Sequence, residues 1–225
     1  MTNASRTVIL DLDGTLADTG ADLIAAANAC FREMGEAPPL DPERDKATAF
    51  RGGRAMLRLG FERARGAWTE AEIDVWYDPL LRHYETVIDN ETQLYPGAME
   101  SVRAMTGRGW PVGICTNKPE GLAVLLLDRL GVREEFGSLV GADRLEVRKP
   151  HPDHYHAAVL DCGGDARRSV MVGDTSTDRE TAREAGVPCI LVTFGPEGTG
   201  VEMLEPEGLI GHYDDLIPTV ERLIP

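Results

Sequence analysis

Two aspartates, Asp11 and Asp13, follow the first apolar run of the chain, Val8–Leu10. Side chains alternate along a strand, so we expect these two carboxylates to point into the same space while Leu12 faces the core. Gly14 then permits a sharp turn. Two carboxylates at the end of a buried strand are costly unless a cation or hydrogen-bond donors compensate them. In such a place one carboxylate can attack as a nucleophile, and the other can exchange a proton with a leaving group.

Later apolar runs also end in polar residues. These are Thr116, Asn117 and Lys118 after Val112–Cys115, Lys149 after the segment 139–143, and Asp174 and Asp178 after Ser169–Val172. Each residue alone has an ordinary structural explanation, such as a helix N-cap for an aspartate or a surface loop for a lysine. Acids, a hydroxyl and a lysine at successive strand ends together indicate a functional site.

Helical patterns separate the later strands, and this alternation predicts an α/β fold, a doubly wound parallel sheet in a Rossmann-like core. The predicted strands are 7–10, 112–115, 139–140, 169–172 and 189–193, and the predicted helices between them are 97–106, 120–130, 152–160 and 178–185. Right-handed crossovers place the carboxyl ends of all strands at one edge of the sheet, where ligands bind.

About a hundred residues separate the first two predicted strands, and this interval predicts an inserted all-helical cap. Helices are expected over 20–34, about 53–65 and 69–89, because apolar residues recur there with a period of 3.6. Pro79 is expected to kink or split the last of these helices. We therefore predict a catalytic core of residues 1–17 and 93–225 and a cap of residues 18–92 that can cover the site.

The chain has 225 residues and a net charge of −15, with ordinary proportions of hydrophobic and charged residues. Such acidity argues against nucleic-acid binding through a general electrostatic footprint, so an anionic ligand needs a metal and a few placed cations. Only Lys46, Lys118 and Lys149 are lysines, which gives weight to the two that follow strands.

The spacing of the cysteines suggests reduced thiols, and no leader or membrane span is expected. These features predict a cytoplasmic monomer or homodimer.

All these motifs together resemble the haloacid dehalogenase-like hydrolase superfamily, in the branch whose helical cap follows the first motif. The stretches that are similar to the phosphoglycolate phosphatases of that superfamily are residues 10–19, 115–119, 149–153 and 172–188. The resemblance spans nearly the whole length. It implies a phosphoric monoester hydrolase that acts on a small phosphorylated metabolite, 2-phosphoglycolate.

The resemblance also implies roles for individual residues. Asp11 would attack phosphorus and form an aspartyl-phosphate, and Asp13 would protonate the leaving alcohol and then activate water. Asp11, the Asp13 backbone carbonyl and Asp174 would hold Mg²⁺. Thr116 and Lys149 would bind the phosphoryl oxygens, and Asp178 would orient Lys149 or a metal-bound water.

Substrate binding is assigned to a further group of residues, Thr15, Asn117, Lys118, Arg51 and Arg54. Arg51, Arg54 and Lys118 are candidates for pairing with a substrate carboxylate, and a solvated helix start is an equally good explanation for the two arginines. The segment 195–198 differs from the aromatic-containing loop that is typical of this group.

Other functions remain open at this point. A sugar-phosphate mutase of the same superfamily would share every core residue. A phospho-accepting signalling module also places Asp, Thr and Lys at strand ends, although Asp13 and the large insertion favour turnover. Asp13 also argues against a dehalogenase and a phosphonate hydrolase, neither of which requires this acid.

Overall fold

The apolar runs of the chain form strands, and amphipathic segments form helices between them. The structure, a computed structural model, describes residues 5–225. Its strands are β1 (Thr7–Leu10), β2 (Ala17–Asp18), β3 (Gln93–Leu94), β4 (Val112–Cys115), β5 (Ser138–Val140), β6 (Ser169–Gly173), β7 (Cys189–Val192) and β8 (Gly208–Ile210). Its helices are α1 (Gly20–Glu33), α2 (Lys46–Ala49), α3 (Gly53–Arg65), α4 (Glu70–Val87), α5 (Ala98–Gly107), α6 (Glu120–Arg129), α7 (Pro152–Asp161), α8 (Ser176–Ala185) and α9 (Leu216–Leu223). Short 3₁₀ turns occupy Arg133–Glu135, Ala166–Arg168, Gly198–Leu204 and Tyr213–Asp215.

The chain divides into two units, one made of Met1–Ala17 and Leu94–Pro225 and the other of Asp18–Gln93. The first four residues of the predicted core segment 1–17 lie outside the described residues. The short strands β2 and β3 pair with each other where the chain passes between the units. Among residues 5–225, no helix combines the length and the apolar character needed to cross a membrane.

The larger unit contains a parallel sheet of six strands in the order β5-β4-β1-β6-β7-β8. This finding confirms the predicted α/β class. Alternate side chains of the sheet, among them Ile9, Cys115 and Met171, form a buried cluster with residues of α7 and α8. Because side chains alternate along a strand, the neighbouring residues Leu10 and Ile114 face the opposite side and are equally buried. Helices α5 and α9 contact each other as well as strands of the sheet.

The register of the sheet brings the ends of its central strands to the same level. Leu10 of β1 pairs with Ile114 of β4 on one side and with Val172 of β6 on the other. The residues that follow these positions therefore leave the sheet together at one edge. Strand β8 and helix α9, both in the last twenty residues of the chain, complete the unit and were not among the predicted elements.

The smaller unit is helical, and its core lies where α1 meets α3 and α4. The rings of Phe31 and Phe61 meet edge to face with their centroids 5.2 Å apart. The buried carboxylate of Asp22 accepts hydrogen bonds from the backbone amides of Glu91 and Thr92, which fixes the last segment of the unit to its first helix.

One expectation about this unit is wrong in part, because Pro79 does not split the last helix. Helix α4 runs from Glu70 to Val87 with Pro79 inside it. A capping box of Thr69 and Glu72 supports its first turn, and Ile73, Leu80 and Tyr84 are buried along one face. Burial of this face on both sides of the proline offsets the one lost backbone hydrogen bond. The short helix α2 was not predicted either.

Packing between α1 and α3 requires a residue without a side chain at Gly60. A Cβ atom there would lie 2.3 Å from the ring of Phe31. We therefore expect Gly60→Ala to destabilise the protein by about 1–3 kcal/mol through overpacking. Thermal unfolding followed by circular dichroism should show a fall of several degrees in the transition of the helical unit. Gly121→Ala in α6 is the control, since a Cβ atom there would have no heavy atom within 4 Å outside its chain neighbours and the helix's own backbone, and its transition should stay unchanged or rise. An equal fall in both variants would contradict the packing argument.

Candidate active site

The end of β1 carries the first motif as the alternation of side chains predicts. Leu12 is fully buried in the core, whereas the carboxylate of Asp13 retains 18% exposure. The amide of Asp11 donates a hydrogen bond to the carbonyl of Val172, which holds this turn against the neighbouring strand. Gly14 has φ of 82°, and a Cβ atom there would lie 2.3 Å from Oδ2 of Asp174. Glycine is therefore required where the first motif approaches the fourth.

A buried lysine joins two carboxylates at the centre of the site. Nζ of Lys149 lies 2.9 Å from Oδ1 of Asp11 and 2.7 Å from Oδ1 of Asp178. The side chain of Lys149 is only 2% exposed. Burial alone would lower the pKa of Lys149, but the negative charges of Asp11 and Asp178 outweigh it and raise the pKa above its usual range. The ammonium therefore stays charged and can attract an anionic group to this place.

Asp178 is held by the start of helix α8. Its Oδ2 accepts hydrogen bonds from the amides of Asp174 and Thr175 and from the hydroxyl of Thr175. Oδ1 is left for Lys149. Asp178 thus contacts Lys149 directly, and its role in orienting that lysine stays a prediction.

Asp174 follows β6 and faces Asp11. The hydroxyl of Thr15 donates a 2.8 Å hydrogen bond to its Oδ1. Oδ2 is buried without a hydrogen-bond partner. Oδ1 of Asp11 likewise accepts no well-aligned hydrogen bond, although Lys149 lies close to it. Two buried carboxylate oxygens without a well-aligned hydrogen bond are the expected sign of a place for a cation.

Carboxylate oxygens of Asp11, Asp174 and Asp178 lie within 4.8 Å of one another. Burial raises the pKa of Asp11 to about 6, although Lys149 opposes this shift. Burial also raises the pKa of Asp174 well above its ordinary value, and the charges of Asp178 and Asp11 add to the effect. These carboxylates are buried and repel each other, so the set of oxygen ligands fits a hard divalent cation.

A second buried lysine pairs with the other acid of the first motif. Nζ of Lys118 lies 2.9 and 3.0 Å from the two carboxylate oxygens of Asp13. Lys118 was predicted to bind substrate, and the structure adds a contact that the sequence did not indicate. Each carboxylate of the first motif therefore has a lysine of its own.

The remaining predicted residues of the larger unit line the ends of β4 and β1. The hydroxyl oxygen of Thr116 accepts a hydrogen bond from the amide of Lys118, so its proton can be donated elsewhere. The side-chain amide of Asn117 donates to the carbonyl of Lys149, which links the loops of the two motifs. The hydroxyl of Thr15 donates to Asp174, as described above. The structure thus brings all predicted site residues of this unit together.

Arg51 and Arg54 belong to the helical unit. The guanidinium of Arg54 pairs with Asp74 at 2.7 Å and lies 5.0 Å from the ring centroid of Tyr77, so it has partners within its own unit. Arg51 is exposed next to Gly52, whose φ is 95°. Their assignment to the substrate stays a prediction.

Sequence reasoning missed two residues that hold the first motif in place. The hydroxyl of Tyr213 donates a 2.7 Å hydrogen bond to the carbonyl of Thr15, across 198 positions of sequence. A Cβ atom at Gly195 would lie 2.8 Å from the carbonyl oxygen of Gly14. The ring of Phe194 packs against Tyr213 with centroids 5.4 Å apart. The only local signal was the glycine itself, directly after an aromatic residue at the end of a strand.

Comparisons with known proteins agree with this geometry. Residues 5–186 match the model of the family described as haloacid dehalogenase-like hydrolase. The phosphoglycolate phosphatase of Agrobacterium fabrum is 37% identical over 221 residues, which cover 98% of this chain and 94% of the relative. The phosphoglycolate phosphatase of Mesorhizobium japonicum is 35% identical over 96% of each chain.

Solved structures show the same fold. A crystal structure described as a predicted phosphoglycolate phosphatase from Haemophilus somnus superposes with a TM-score of 0.84 at 21% identity, over 97% of this chain and 99% of the other. CbbY from Rhodobacter sphaeroides in complex with phosphate gives a TM-score of 0.78 at 20% identity, over 96% and 99% of the two chains. The matched family model and the two relatives establish that this chain belongs to the haloacid dehalogenase-like hydrolases and is a phosphoric monoester hydrolase.

Proposed function

We propose that this chain is a Mg²⁺-dependent phosphatase that hydrolyses 2-phosphoglycolate through an aspartyl-phosphate intermediate. The observation that carries the proposal is the pair of first-motif carboxylates, each in contact with a buried lysine, beside Oδ2 of Asp174, a buried carboxylate oxygen without a hydrogen-bond partner. The names of the relatives at 35–37% identity support the choice of substrate. Phosphate release from 2-phosphoglycolate and a panel of small esters, with and without Mg²⁺, tests it.

The first step is nucleophilic attack by a carboxylate oxygen of Asp11 on phosphorus. The bond between phosphorus and the leaving oxygen breaks as the new bond forms, and Asp13 donates a proton to the leaving alkoxide. The ammonium of Lys149 and the hydroxyl of Thr116 bind the phosphoryl oxygens and stabilise the charge that develops on them. The products of this step are glycolate and the phosphorylated Asp11.

Water completes the reaction in a second step. Asp13, now a carboxylate, takes a proton from a water molecule as its oxygen attacks the phosphorus of the intermediate. The bond to Asp11 breaks, which restores both aspartates and releases inorganic phosphate. Mg²⁺ held by Asp11, Asp174 and the backbone carbonyl of Asp13 would neutralise charge between the nucleophile and the phosphate. Asp178 keeps Lys149 in position throughout.

Selection among small esters is assigned to the helical unit, acting as a cap of residues 18–92. The core motifs can bind any phosphoryl group, so discrimination requires further contacts to the leaving group. Arg51 and Arg54 are the proposed cap cations, and Lys118 of the larger unit is the third candidate for contacting the substrate carboxylate. A sugar-phosphate mutase would use the same core residues, and only product analysis separates it: the phosphatase releases inorganic phosphate, whereas the mutase returns an isomeric ester.

Asp11→Asn should lower phosphate release by at least about 10³-fold, because the amide is not a nucleophile. The side chains have almost the same shape, so the thermal transition should stay within a few degrees of the wild-type value. Phosphate release is measured with an aryl phosphate and with 2-phosphoglycolate. Asp128→Asn on the exposed side of α6 is the matched control and should keep full activity. Substantial turnover by purified Asp11→Asn would refute the assignment of the nucleophile.

The loss of rate in Asp13→Asn should depend on the leaving group of the ester. A general acid contributes about 10²–10⁴-fold, so the first step with an alkyl phosphate should slow by this amount. An aryl phosphate with a good leaving group needs little protonation and should phosphorylate Asp11 almost normally. A pre-steady-state burst assay separates this step from the later hydrolysis. Equal losses of the burst rate for alkyl and aryl esters would argue against an acid at this position.

Asp174→Asn should remove the response of stability to Mg²⁺. Saturating Mg²⁺ should raise the wild-type melting temperature by several degrees, since 100-fold excess over the dissociation constant adds about 2.7 kcal/mol. The variant should show almost no rise. Because the pKa of Asp174 is raised in the folded protein, its ionisation opposes folding above the ordinary pKa of aspartate, and this cost is present at pH 7.5.

Without metal, the Asp174→Asn variant should therefore melt above the wild-type protein at pH 7.5. Differential scanning calorimetry in EDTA and then in Mg²⁺ provides both readings on the same sample. A variant that gains as much stability from Mg²⁺ as the wild-type protein does would place the cation elsewhere.

A further inference from the structure

The larger unit holds Lys118 in two ways, through hydrogen bonds of its backbone and through the ion pair of its ammonium with Asp13. The backbone amide of Lys118 donates to the hydroxyl oxygen of Thr116, and its carbonyl accepts from the amide of Ala142. Its side chain is 3% exposed and its ammonium contacts both oxygens of Asp13. This lysine is therefore held in place by the fold, with its charge directed at the residue that exchanges the proton.

The two lysines of the site differ in their surroundings. Lys149 contacts Asp11 and Asp178, whose side chains are 11% and 0% exposed. The carboxylate of Asp13, which Lys118 contacts, is 18% exposed. Solvent, and hence a substrate group, reaches the Asp13 end of this pair more readily than the pair formed by Lys149 and Asp178.

Few other cations could receive a substrate carboxylate in this unit. Within residues 5–225, Lys118 and Lys149 are the buried side chains among all lysines and arginines. Lys149 is committed to Asp11, Asp178 and, in the proposed reaction, the phosphoryl group. In a chain with a net charge of −15, an unscreened carboxylate that enters the site needs a local cation.

The reach of the substrate matches the position of Lys118. In 2-phosphoglycolate the carboxylate carbon is two bonds, about 2.5 Å, from the leaving oxygen. Asp13 must approach that oxygen within hydrogen-bond distance to give it a proton. Nζ of Lys118 lies 2.9 Å from Asp13. A carboxylate two bonds from the leaving oxygen therefore falls within reach of the same ammonium that holds Asp13.

We infer that Lys118 determines specificity by exchanging partners: its ammonium holds Asp13 in the resting enzyme and moves to the carboxylate of the substrate when 2-phosphoglycolate binds. This inference rests on the proposed function and deepens it. The exchange leaves Asp13 free to take up a proton from solvent and to give it to the leaving oxygen only when the ester carries an anion at the correct distance. An ester without that anion leaves Asp13 engaged with Lys118 and reacts slowly.

The test compares 2-phosphoglycolate with ethyl phosphate, an alkyl ester of similar size that lacks the carboxylate. Values of kcat and KM are measured for both esters in wild-type protein, Lys118→Met and Lys118→Gln, and the second variant retains a hydrogen-bond donor for Asp13 if the first folds poorly. Lys46→Met is the matched control, because Lys46 also pairs with an aspartate, Asp18, but belongs to the other unit.

In the Lys118 variants, kcat/KM for 2-phosphoglycolate should fall about 10²-fold, on the order expected when one partner of a desolvated charge pair is removed. The kcat/KM for ethyl phosphate should fall much less, because this ester has no carboxylate for Lys118 to bind. The ratio of the two kcat/KM values should therefore fall at least ten-fold, whereas Lys46→Met should leave it unchanged. If Lys118 had a purely structural role, kcat/KM would fall in parallel for both substrates.

Wild-type protein that hydrolyses 2-phosphoglycolate, combined with a ratio that falls less than ten-fold in both Lys118 variants, would overturn this inference alone. Wild-type protein that hydrolyses other phosphate esters but not 2-phosphoglycolate would overturn the proposed substrate and the inference with it. A parallel loss of both activities in the Lys118 variants would assign Lys118 to the architecture of the site.

Discussion

The site depends on the compensation of negative charge in a place that water hardly reaches. Asp11, Asp174 and Asp178 have carboxylate oxygens within 4.8 Å of one another, and all three are buried. Such a cluster can exist only if cations and donors are fixed beside it. Lys149 supplies one charge to two of the acids, and the amides at the start of α8 serve Asp178. The compensation is incomplete at Asp174, whose Oδ2 has no hydrogen-bond partner, and at Asp11, whose Oδ1 has the ammonium of Lys149 close by but no well-aligned hydrogen bond. Such a deficit of positive charge fits a cation that binds oxygen ligands.

Parallel pairing of the strands explains how residues so distant in sequence meet at these separations. The register aligns Leu10 with Ile114 and Val172, so β1, β4 and β6 end at one level. Each strand then needs only one or two further residues to deliver its functional group. Glycine is required where the turns that follow these strands approach each other most closely, as at Gly14, which lies directly against Asp174. Such an arrangement tolerates little change in strand register, because a shift of one residue would move a carboxylate to the opposite face of the sheet.

The same reasoning explains which parts of the site could be predicted from sequence. Alternation along β1 predicts that Asp11 and Asp13 share a side, and the parallel topology predicts that Thr116, Lys149 and Asp174 join them. Contacts that depend on side-chain reach across the edge could not be predicted in this way. The hydrogen bond from Tyr213 to Thr15 and the pairing of Lys118 with Asp13 have no local pattern. Pro79 illustrates the converse, because local propensity predicted a kink or a split, and the helix continues through the proline without splitting.

An acidic enzyme that binds an anion must keep its few cationic side chains charged and in place before the anion arrives. Ion pairs solve this problem when the partner of each cation resembles the ligand. Lys118 contacts the carboxylate of Asp13, and in the inferred exchange a substrate carboxylate would take its place. Such an exchange would spare the ammonium a desolvated, unpaired state, which costs several kcal/mol. Lys149 would follow the same principle, because it contacts Asp178 and a phosphoryl oxygen is its proposed ligand. Preorganised cations of this kind bind anions selectively because the desolvation cost has already been met in folding.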